Sequence, residues 1–142
     1  MTFRIQKIHP NAVLPIYAHG FQEDAGMDLC AVESVILNPM VPFRVSTGLR
    51  IELAQGFEVQ IRPRSSLAAK GILIPNSPGT IDPGYRGEVK VLLLNMSGAP
   101  YEIRIGDKIA QMVVARYEPV AWIEAELGPS QRGEGGFGST GQ

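Results

Sequence analysis

The stretch Phe57-Glu58-Val59-Gln60-Ile61-Arg62 decides the fold class of this chain. Apolar and polar residues alternate along it, which is the period of a strand that buries one face and exposes the other. Other short apolar runs recur along the 142 residues, between 11 prolines and 16 glycines. Pro and Gly at this frequency favour many short strands over helices. We therefore expect an all-β fold, a compact jelly-roll-like sandwich or barrel.

Further apolar runs predict the remaining strands. They are Phe3–Ile8, Val35–Leu37, Phe43–Val45, Leu49–Leu53, Val89–Leu94, Tyr101–Ile103, Ile109–Val113 and Val120–Ile123. Val89–Leu94 is nearly continuous in apolar residues, which predicts burial on both faces, in a sandwich core or at a subunit contact. One short helix is expected at Ser65–Lys70, with Ser65 or Ser66 as its N-cap and Gly71 as its stop.

The composition limits where the protein works and what it binds. Acidic and basic side chains nearly cancel to a net charge of -1, which argues against a general nucleic-acid or membrane surface. The single cysteine, Cys30, excludes an internal disulfide and suits a reducing compartment. No run approaches the ~18 apolar residues of a membrane span, and we see no export signal. We expect a cytoplasmic domain with no nucleic-acid partner and no membrane partner.

The composition changes abruptly at the C-terminal end. Its many glycines lose the most backbone freedom on ordering, so this stretch cannot fold alone. It carries a cation, an aromatic ring and two hydroxyls, which suit a small anionic ligand that contains a ring. A solvated, disordered terminus is the alternative. We expect two parts, residues 1–127 as the β domain and residues 128–142 as a flexible Gly-rich arm that closes a site.

A phosphate-binding site is predicted where Arg64 precedes the start of the helix at Ser65 and Ser66. A guanidinium, hydroxyls and free N–H groups then surround one spot. An ordinary N-cap beside a surface Arg is the alternative. Two further polar residues, Asp28 and Gln111, stand in apolar surroundings, and neither carries an argument alone.

The stretch Thr80-Ile81-Asp82-Pro83-Gly84-Tyr85-Arg86-Gly87-Glu88 lies between two apolar runs. Pro-Gly demands a tight turn, so Asp82 is expected at a strand end next to a reversal. A plain turn-initiating Asp is the alternative. Asn76 upstream provides an amide, and Tyr85 provides a flat ring. An amide at one end of a hairpin and a ring at the other suit a nucleobase edge and a sugar.

These segments, in this order and spacing from about Ala25 to Gly141, closely resemble the motifs of the trimeric deoxyuridine triphosphate nucleotidohydrolases (dUTPases). The Thr80–Glu88 stretch and the C-terminal tail are the most specific parts of the match. Two departures are Ser66, where many members carry Gly, and Pro83-Gly84, where an acidic or polar pair is more usual. We expect little consequence from either departure.

The resemblance implies an enzyme, a dUTP diphosphatase that cleaves between the α- and β-phosphates to give dUMP and pyrophosphate. This reaction limits uracil incorporation into DNA and supplies dUMP for dTTP synthesis. Asp82 would be the base that activates the attacking water. Tyr85 would pack under the deoxyribose and exclude a 2′-hydroxyl. Asn76 would bind the uracil edge, helped by backbone groups near Ile81 and Lys90.

The resemblance also implies the groups around the phosphates. Mg²⁺ would be chelated by the triphosphate with no direct protein ligand, and Asp28 would contact it through water. The implied phosphate and tail contacts are Arg64, Ser65, Ser66, Gln111, Arg132, Phe137, Ser139 and Thr140. Phe137 would stack on the uracil, and Thr80 and Gly138 complete the implied set. The family is a homotrimer with shared active sites, in which the tail of one subunit closes a pocket formed by the others.

Two rival functions are considered. The related dCTP deaminases share the Arg64–Ala68 and Ile81–Gly84 segments. They supply a proton-shuttling Glu where this chain has Leu92, so deamination is disfavoured. A regulatory module that binds the nucleotide without turnover would keep the same residues, and binding of dUTP without pyrophosphate release would favour it.

Overall fold

A computed structural model describes residues 2–135 of the chain. Eleven strands and one short helix make up the regular structure of these residues, which confirms the all-β prediction. The elements are β1 (Arg4–Lys7), β2 (Met27–Cys30), β3 (Val35–Leu37), β4 (Phe43–Ser46), β5 (Leu49–Glu52), β6 (Phe57–Arg62), α1 (Ser65–Ala68), β7 (Ile72–Leu73), β8 (Gly79–Ile81), β9 (Lys90–Asn95), β10 (Tyr101–Ile103) and β11 (Lys108–Arg116).

The strands form four antiparallel sheets in a sandwich-like arrangement. The largest has the order β2-β11-β6-β8, the second the order β4-β9-β7, and the others are the pairs β1-β5 and β3-β10. Over the described residues these sheets do not close on themselves, so the sandwich form is confirmed rather than the barrel. No helix in this part of the chain combines the length and the hydropathy that crossing a membrane requires.

The strand β6 has the predicted two-residue period. Val59 and Ile61 are buried, while Glu58, Gln60 and Arg62, which alternate with them, form a row of polar contacts on the outer face. Arg62 donates to the side-chain oxygen of Gln60, whose amide donates to Glu58 at 2.7 Å. This strand pairs with both β11 and β8, and its register therefore positions three of the predicted motifs.

One apolar core lies between the sheets. Its most deeply buried side chains include Leu29, Leu37, Val45, Leu49, Val59, Ile72, Val91, Leu93, Ile103 and Ile109. Each such side chain contributes about 1.5–3 kcal/mol through burial. Asn95 is also fully buried, and its amide nitrogen donates to the carbonyl oxygens of Leu37 and Ala99, both at 2.8 Å. Its side-chain oxygen accepts from the backbone N–H and the hydroxyl of Ser97.

The expectation that Val89–Leu94 is buried on both faces in the core of one chain is wrong, and burial of the second face at a subunit contact stays a prediction. In β9 the buried residues Val91 and Leu93 alternate with Leu92 and Leu94, which are only half-buried. The strand pairs with β4 and β7 at its two edges, and only one of its faces packs on the core. The apolar residues on the outer face give this strand its misleading continuity.

The predicted strand at Val120–Ile123 does not form. The last strand ends at Arg116, and residues 117–135 form no helix or strand. Trp122 and Ile123 are 91% and 89% exposed. β-Branched and aromatic residues form strands only when a neighbouring strand pairs with them, and these residues lack one within the described chain. The division between residues 127 and 128 stays a prediction.

The helix α1 is shorter than expected and begins differently. Arg64, in extended conformation, is its N-cap, and it makes no side-chain capping bond, so the N-cap prediction for Ser65 or Ser66 is wrong. The serine hydroxyls are therefore not engaged in capping this helix. Gly71 has a φ of 78°, the left-handed conformation of a glycine that ends a helix.

Candidate active site

One cavity of about 500 Å³ collects the residues predicted on the phosphate side. We call it the Arg64 cavity. Its predicted lining residues are Asp28, Arg64, Ser65, Ser66 and Gln111. Strand pairing explains the convergence, because Asp28 on β2 lies opposite Gln111 on β11, which lies opposite Arg62 on β6. Three segments that are distant in sequence thus meet at one edge of the largest sheet.

The carboxylate of Asp28 organises the cations of the Arg64 cavity. Its Oδ1 lies 3.0 Å from Arg64 Nε, and its Oδ2 lies 2.7 Å from Lys108 Nζ. The Asp28 side chain is only 20% exposed, so salt screens these pairs less than surface pairs. Lys108 was missed in the sequence. It stands at the start of β11, where a bulge before Ala110 shifts the register, and no sequence pattern announces this bulge.

Gly26 allows the side chain of Gln111 to pack against β2. A Cβ atom at Gly26 would lie 2.5 Å from Gln111 Oε1, closer than real side chains approach. The amide of Gln111 donates to the carbonyl oxygen of Pro63 at 3.0 Å. Gln111 is thereby fixed between the segment before Asp28 and the segment before α1. The glycine two residues before Asp28 is the sequence signal for this close approach.

A second, larger cleft of about 910 Å³ collects the residues predicted on the nucleoside side. We call it the Tyr85 cleft. Its predicted lining residues are Asn76, Ile81, Tyr85 and Lys90. The others are Pro42, Phe43, Arg44, Glu88 and Leu92. Most of these additional residues come from β4 and the segment before it. They reach the Tyr85 cleft only because β4 pairs with β9.

The predicted hairpin that carries Asn76 and Tyr85 does not form as a strand pair. The strand β8 pairs with β6, whereas β9 pairs with β4 and β7. The segment from Ile81 to Lys90 therefore crosses from one sheet to another. The amide and the ring still share one cleft, because this crossing segment forms its wall.

Tyr85 is held over its own loop. Its N–H donates to the Asp82 carbonyl oxygen at 3.1 Å, and its hydroxyl donates to the Glu88 carbonyl oxygen at 3.0 Å. The ring lies so close to Gly87 that a Cβ atom there would overlap it. Glu88 in turn accepts from the Gly48 backbone N–H at 2.9 Å. The position of the ring thus depends on Gly87, a residue of the motif to which the sequence analysis gave no role.

Asp82 and Thr80 line neither cavity. Asp82 is exposed, and no described residue hydrogen-bonds or pairs with its carboxylate. Ile81, the residue before it, lies opposite Val59 on β6, and Arg64 follows at the far end of that strand. At roughly 3.3 Å per extended residue, the path from Val59 to Arg64 spans about 16 Å. In one chain Asp82 is therefore remote from the Arg64 cavity, and the two cavities share no lining residue.

The tail residues are described only in part. Arg132 is exposed, and its Nε donates to the Gly135 carbonyl oxygen at 2.7 Å within a turn that Ser130 begins. The predicted contacts at Phe137, Gly138, Ser139 and Thr140 lie outside the described residues. Within residues 2–135, no three side chains of His, Cys, Asp or Glu cluster as a metal site would require.

Comparison with known proteins shows which family this chain resembles. A family model described as dUTPase matches residues 13–141. The deoxyuridine 5'-triphosphate nucleotidohydrolase of Solibacter usitatus (strain Ellin6076) is 61% identical in an alignment of 143 positions that covers 100% of this chain and 97% of that protein. The protein of the same name from Wolinella succinogenes is 50% identical in an alignment of 144 positions that covers 100% of this chain and 95% of that protein.

A solved structure of similar fold carries a nucleotide analogue. It is a mutant of the Staphylococcus bacteriophage 80alpha dUTPase with dUpNHpp, which matches at a TM-score of 0.87 and 25% identity over 99% of each chain. The family model spans most of the present chain, and the two relatives match it over 97% and 95% of their own length. The chain therefore belongs to the dUTPase family.

Proposed function

We propose that the protein hydrolyses dUTP to dUMP and pyrophosphate in active sites that three copies of the chain share. One observation carries this proposal. The predicted nucleoside side and phosphate side face separate cavities of one chain. A complete site then takes the Tyr85 cleft from one copy and the Arg64 cavity from another. Residues 128–142 of the third copy act as the arm that closes it.

In this proposal Asp82 is the base that activates water. Its carboxylate is exposed and free of partners among the described residues, so it can accept a hydrogen bond from a water molecule. The water oxygen attacks the α-phosphorus, its proton passes to Asp82, and the bond to the bridging oxygen breaks. Pyrophosphate leaves with the electron pair of that bond. A positioned base of this kind contributes about 10²–10⁴ in rate.

The Arg64 cavity supplies charge for the departing pyrophosphate. The guanidinium of Arg64 and the ammonium of Lys108 stabilise negative charge, and the hydroxyls of Ser65 and Ser66 add hydrogen bonds. Two carboxylates line this cavity, Asp24 paired with His19 and Asp28 paired with Arg64 and Lys108, and their engagement fits Mg²⁺ held mainly by phosphate oxygens and water. When bound with the substrate, Mg²⁺ would neutralise phosphate charge, and Asp28 would contact it through water.

The Tyr85 cleft supplies selectivity. The ring of Tyr85 would lie against the deoxyribose, and the amide of Asn76 would bind the uracil edge with backbone groups near Ile81 and Lys90. Thr80 and the tail residues Phe137, Gly138, Ser139 and Thr140 complete the proposed contacts. Leu92 lines this cleft and offers no proton to a cytosine ring, which supports hydrolysis over deamination. In the cell, the reaction would limit uracil in DNA and supply dUMP for dTTP synthesis.

Subunit complementation tests both the role of Asp82 as the base and the sharing of active sites between copies. Asp82→Asn and Arg64→Ala are each expected to lower turnover about a hundredfold or more, while Asp82→Asn still binds dUpNHpp. When the two variants are unfolded together and refolded, roughly a quarter of the sites receive two intact halves, and activity returns in proportion. Asp82→Asn mixed with Tyr85→Ala is the matched control. Both changes affect the same half, so no activity should return.

Failure of the first mixture to recover, with mixed trimers shown to form, would disprove the sharing of sites. Near-normal turnover by Asp82→Asn would remove this residue from the role of base. Absence of pyrophosphate release from dUTP by the unmodified protein would disprove the activity itself.

A further inference from the structure

The loop before β2 brings a histidine and a carboxylate to the Arg64 cavity. His19 and Asp24 both line it, and neither belongs to a predicted motif. The backbone N–H of His19 donates to Asp24 Oδ2 at 2.6 Å, and its ring Nδ1 lies 3.1 Å from Oδ1. The backbone N–H groups of Glu23 and Asp24 donate to the Gly20 carbonyl oxygen at 3.1 and 3.0 Å. The loop therefore closes around this pair.

Asp24 determines which ring nitrogen His19 offers to a ligand. Nδ1 is occupied by the carboxylate, while no described residue hydrogen-bonds Nε2. The His19 side chain is 74% exposed and that of Asp24 is 25% exposed, so a largely buried carboxylate holds an exposed ring. The backbone N–H of His19, together with its imidazole, holds the pKa of Asp24 below its usual range. The carboxylate therefore stays ionised at neutral pH and keeps the ring oriented.

The other charges of the cavity nearly cancel. Arg64 and Lys108 are both paired with Asp28, and Asp24 adds a second carboxylate. Two cations against two carboxylates leave little net positive charge for the anionic end of a nucleoside triphosphate. Protonated His19 would supply one more positive charge, because imidazole is the side chain that ordinarily changes charge near neutral pH.

We propose that His19, oriented by Asp24, is a further substrate-binding residue that donates from Nε2 to the β- or γ-phosphate of the nucleotide. This inference rests on the proposed function. If the nucleoside and the α-phosphate lie at the Tyr85 cleft and Asp82 of one copy, the part that enters the Arg64 cavity of another is the pyrophosphate end. His19 then contacts the leaving group and no part of dUMP, and Asp24 is a positioning residue.

The contact depends on which nitrogens of the ring carry a proton. With Nδ1–H donating to Asp24, a neutral ring leaves Nε2 as an acceptor, which cannot hydrogen-bond an unprotonated phosphate oxygen. The charged groups that share the cavity with the ring are Asp24, Asp28, Arg64 and Lys108. A ring with a proton on both nitrogens donates from Nε2 and adds a positive charge to this balanced set.

Binding measurements on the full-length protein test this inference. Calorimetry would give the affinity for dUpNHpp, inorganic pyrophosphate and dUMP. We expect His19→Gln to weaken the binding of dUpNHpp and pyrophosphate about fivefold and to leave the binding of dUMP unchanged. Asp24→Asn should weaken the same two ligands. His9→Gln, which changes the chain's other histidine, is the matched control and should behave like the unmodified protein.

Each other outcome overturns the inference. Unchanged affinities in His19→Gln would show that the His19–Asp24 pair only stabilises the loop. Equal weakening of dUMP and dUpNHpp would indicate general damage to the site rather than a phosphate contact. Failure of the proposed function is distinguishable, because the unmodified protein would then release no pyrophosphate from dUTP, whereas failure of this inference alone leaves that release intact.

Discussion

The role of Gly87 leads to a sharp prediction about Tyr85. In Gly87→Ala the new Cβ would lie 2.5 Å from Tyr85 Cζ and 2.9 Å from Cε2, so the ring must move. Gly87 is not among the residues with positive φ, and the backbone itself therefore tolerates alanine. A displaced ring loses its hydroxyl bond to the Glu88 carbonyl oxygen, which is 3.0 Å long. Such a bond contributes about 1 kcal/mol, equivalent to roughly fivefold in an equilibrium.

We expect Gly87→Ala to lower kcat/KM for dUTP about tenfold, from this bond and from lost packing against the deoxyribose. The preference for dUTP over UTP should narrow, because in the proposed site it is this ring that excludes the 2′-hydroxyl. The free energy of unfolding should fall by less than about 1 kcal/mol, since Tyr85 is 43% exposed. Steady-state kinetics with both nucleotides, beside thermal melting, measure these effects.

Two controls separate the ring from the loop. Gly84→Ala changes the same loop at a position with no atom within 4 Å of the new Cβ, and it should leave kinetics unchanged. In a Tyr85→Ala background, Gly87→Ala should cost nothing further, because the overlapping ring is gone. If Gly87→Ala costs the same with and without the ring, the explanation through Tyr85 is wrong.

Two other predictions concern stability. Asn95→Ala removes a fully buried amide with four hydrogen bonds and should lower the free energy of unfolding by about 3–4 kcal/mol in urea titrations at fixed protein concentration, whereas exposed Asn38→Ala should change it little. A loss below about 1 kcal/mol would contradict the network. Asp28→Asn leaves the cations of Arg64 and Lys108 without their shared anion and should cost about 1–2 kcal/mol by thermal melting. Glu102→Gln, which removes an exposed partner of Arg104, should leave the melting temperature nearly unchanged, and equal losses for Asp28→Asn and Glu102→Gln would refute the distinction.

The strand pattern was predictable where one face is buried and the other meets water. The alternation in Phe57–Arg62 gave β6 its bounds without error, because each side chain there follows the face it occupies. Val120–Ile123 has comparable β propensity but no pairing strand in the described chain, so propensity alone misled. In Val89–Leu94 the outer leucines are apolar but only half-buried within one chain, so the apolar run predicted more burial in the core than this strand has.

The candidate site was predictable only where its residues stand in local motifs. Arg64, Asp28 and Gln111 share one cavity as the motif order suggests, although their roles stay predictions. Lys108 and Arg44 were missed because strand pairing and a bulge bring them to the cavities, and these depend on contacts distant in sequence. His19 was missed because a histidine in a polar loop has no periodic or spaced partner to mark it.

The chain carries a single tryptophan, and its position gives the molecule a built-in optical reporter. Trp122 lies in the exposed run that connects the last strand, β11, to the proposed closing arm. All indole emission therefore comes from the connecting segment and none from the core. Stopped-flow fluorescence on unlabelled protein can thus time any docking of this segment separately from the chemical step.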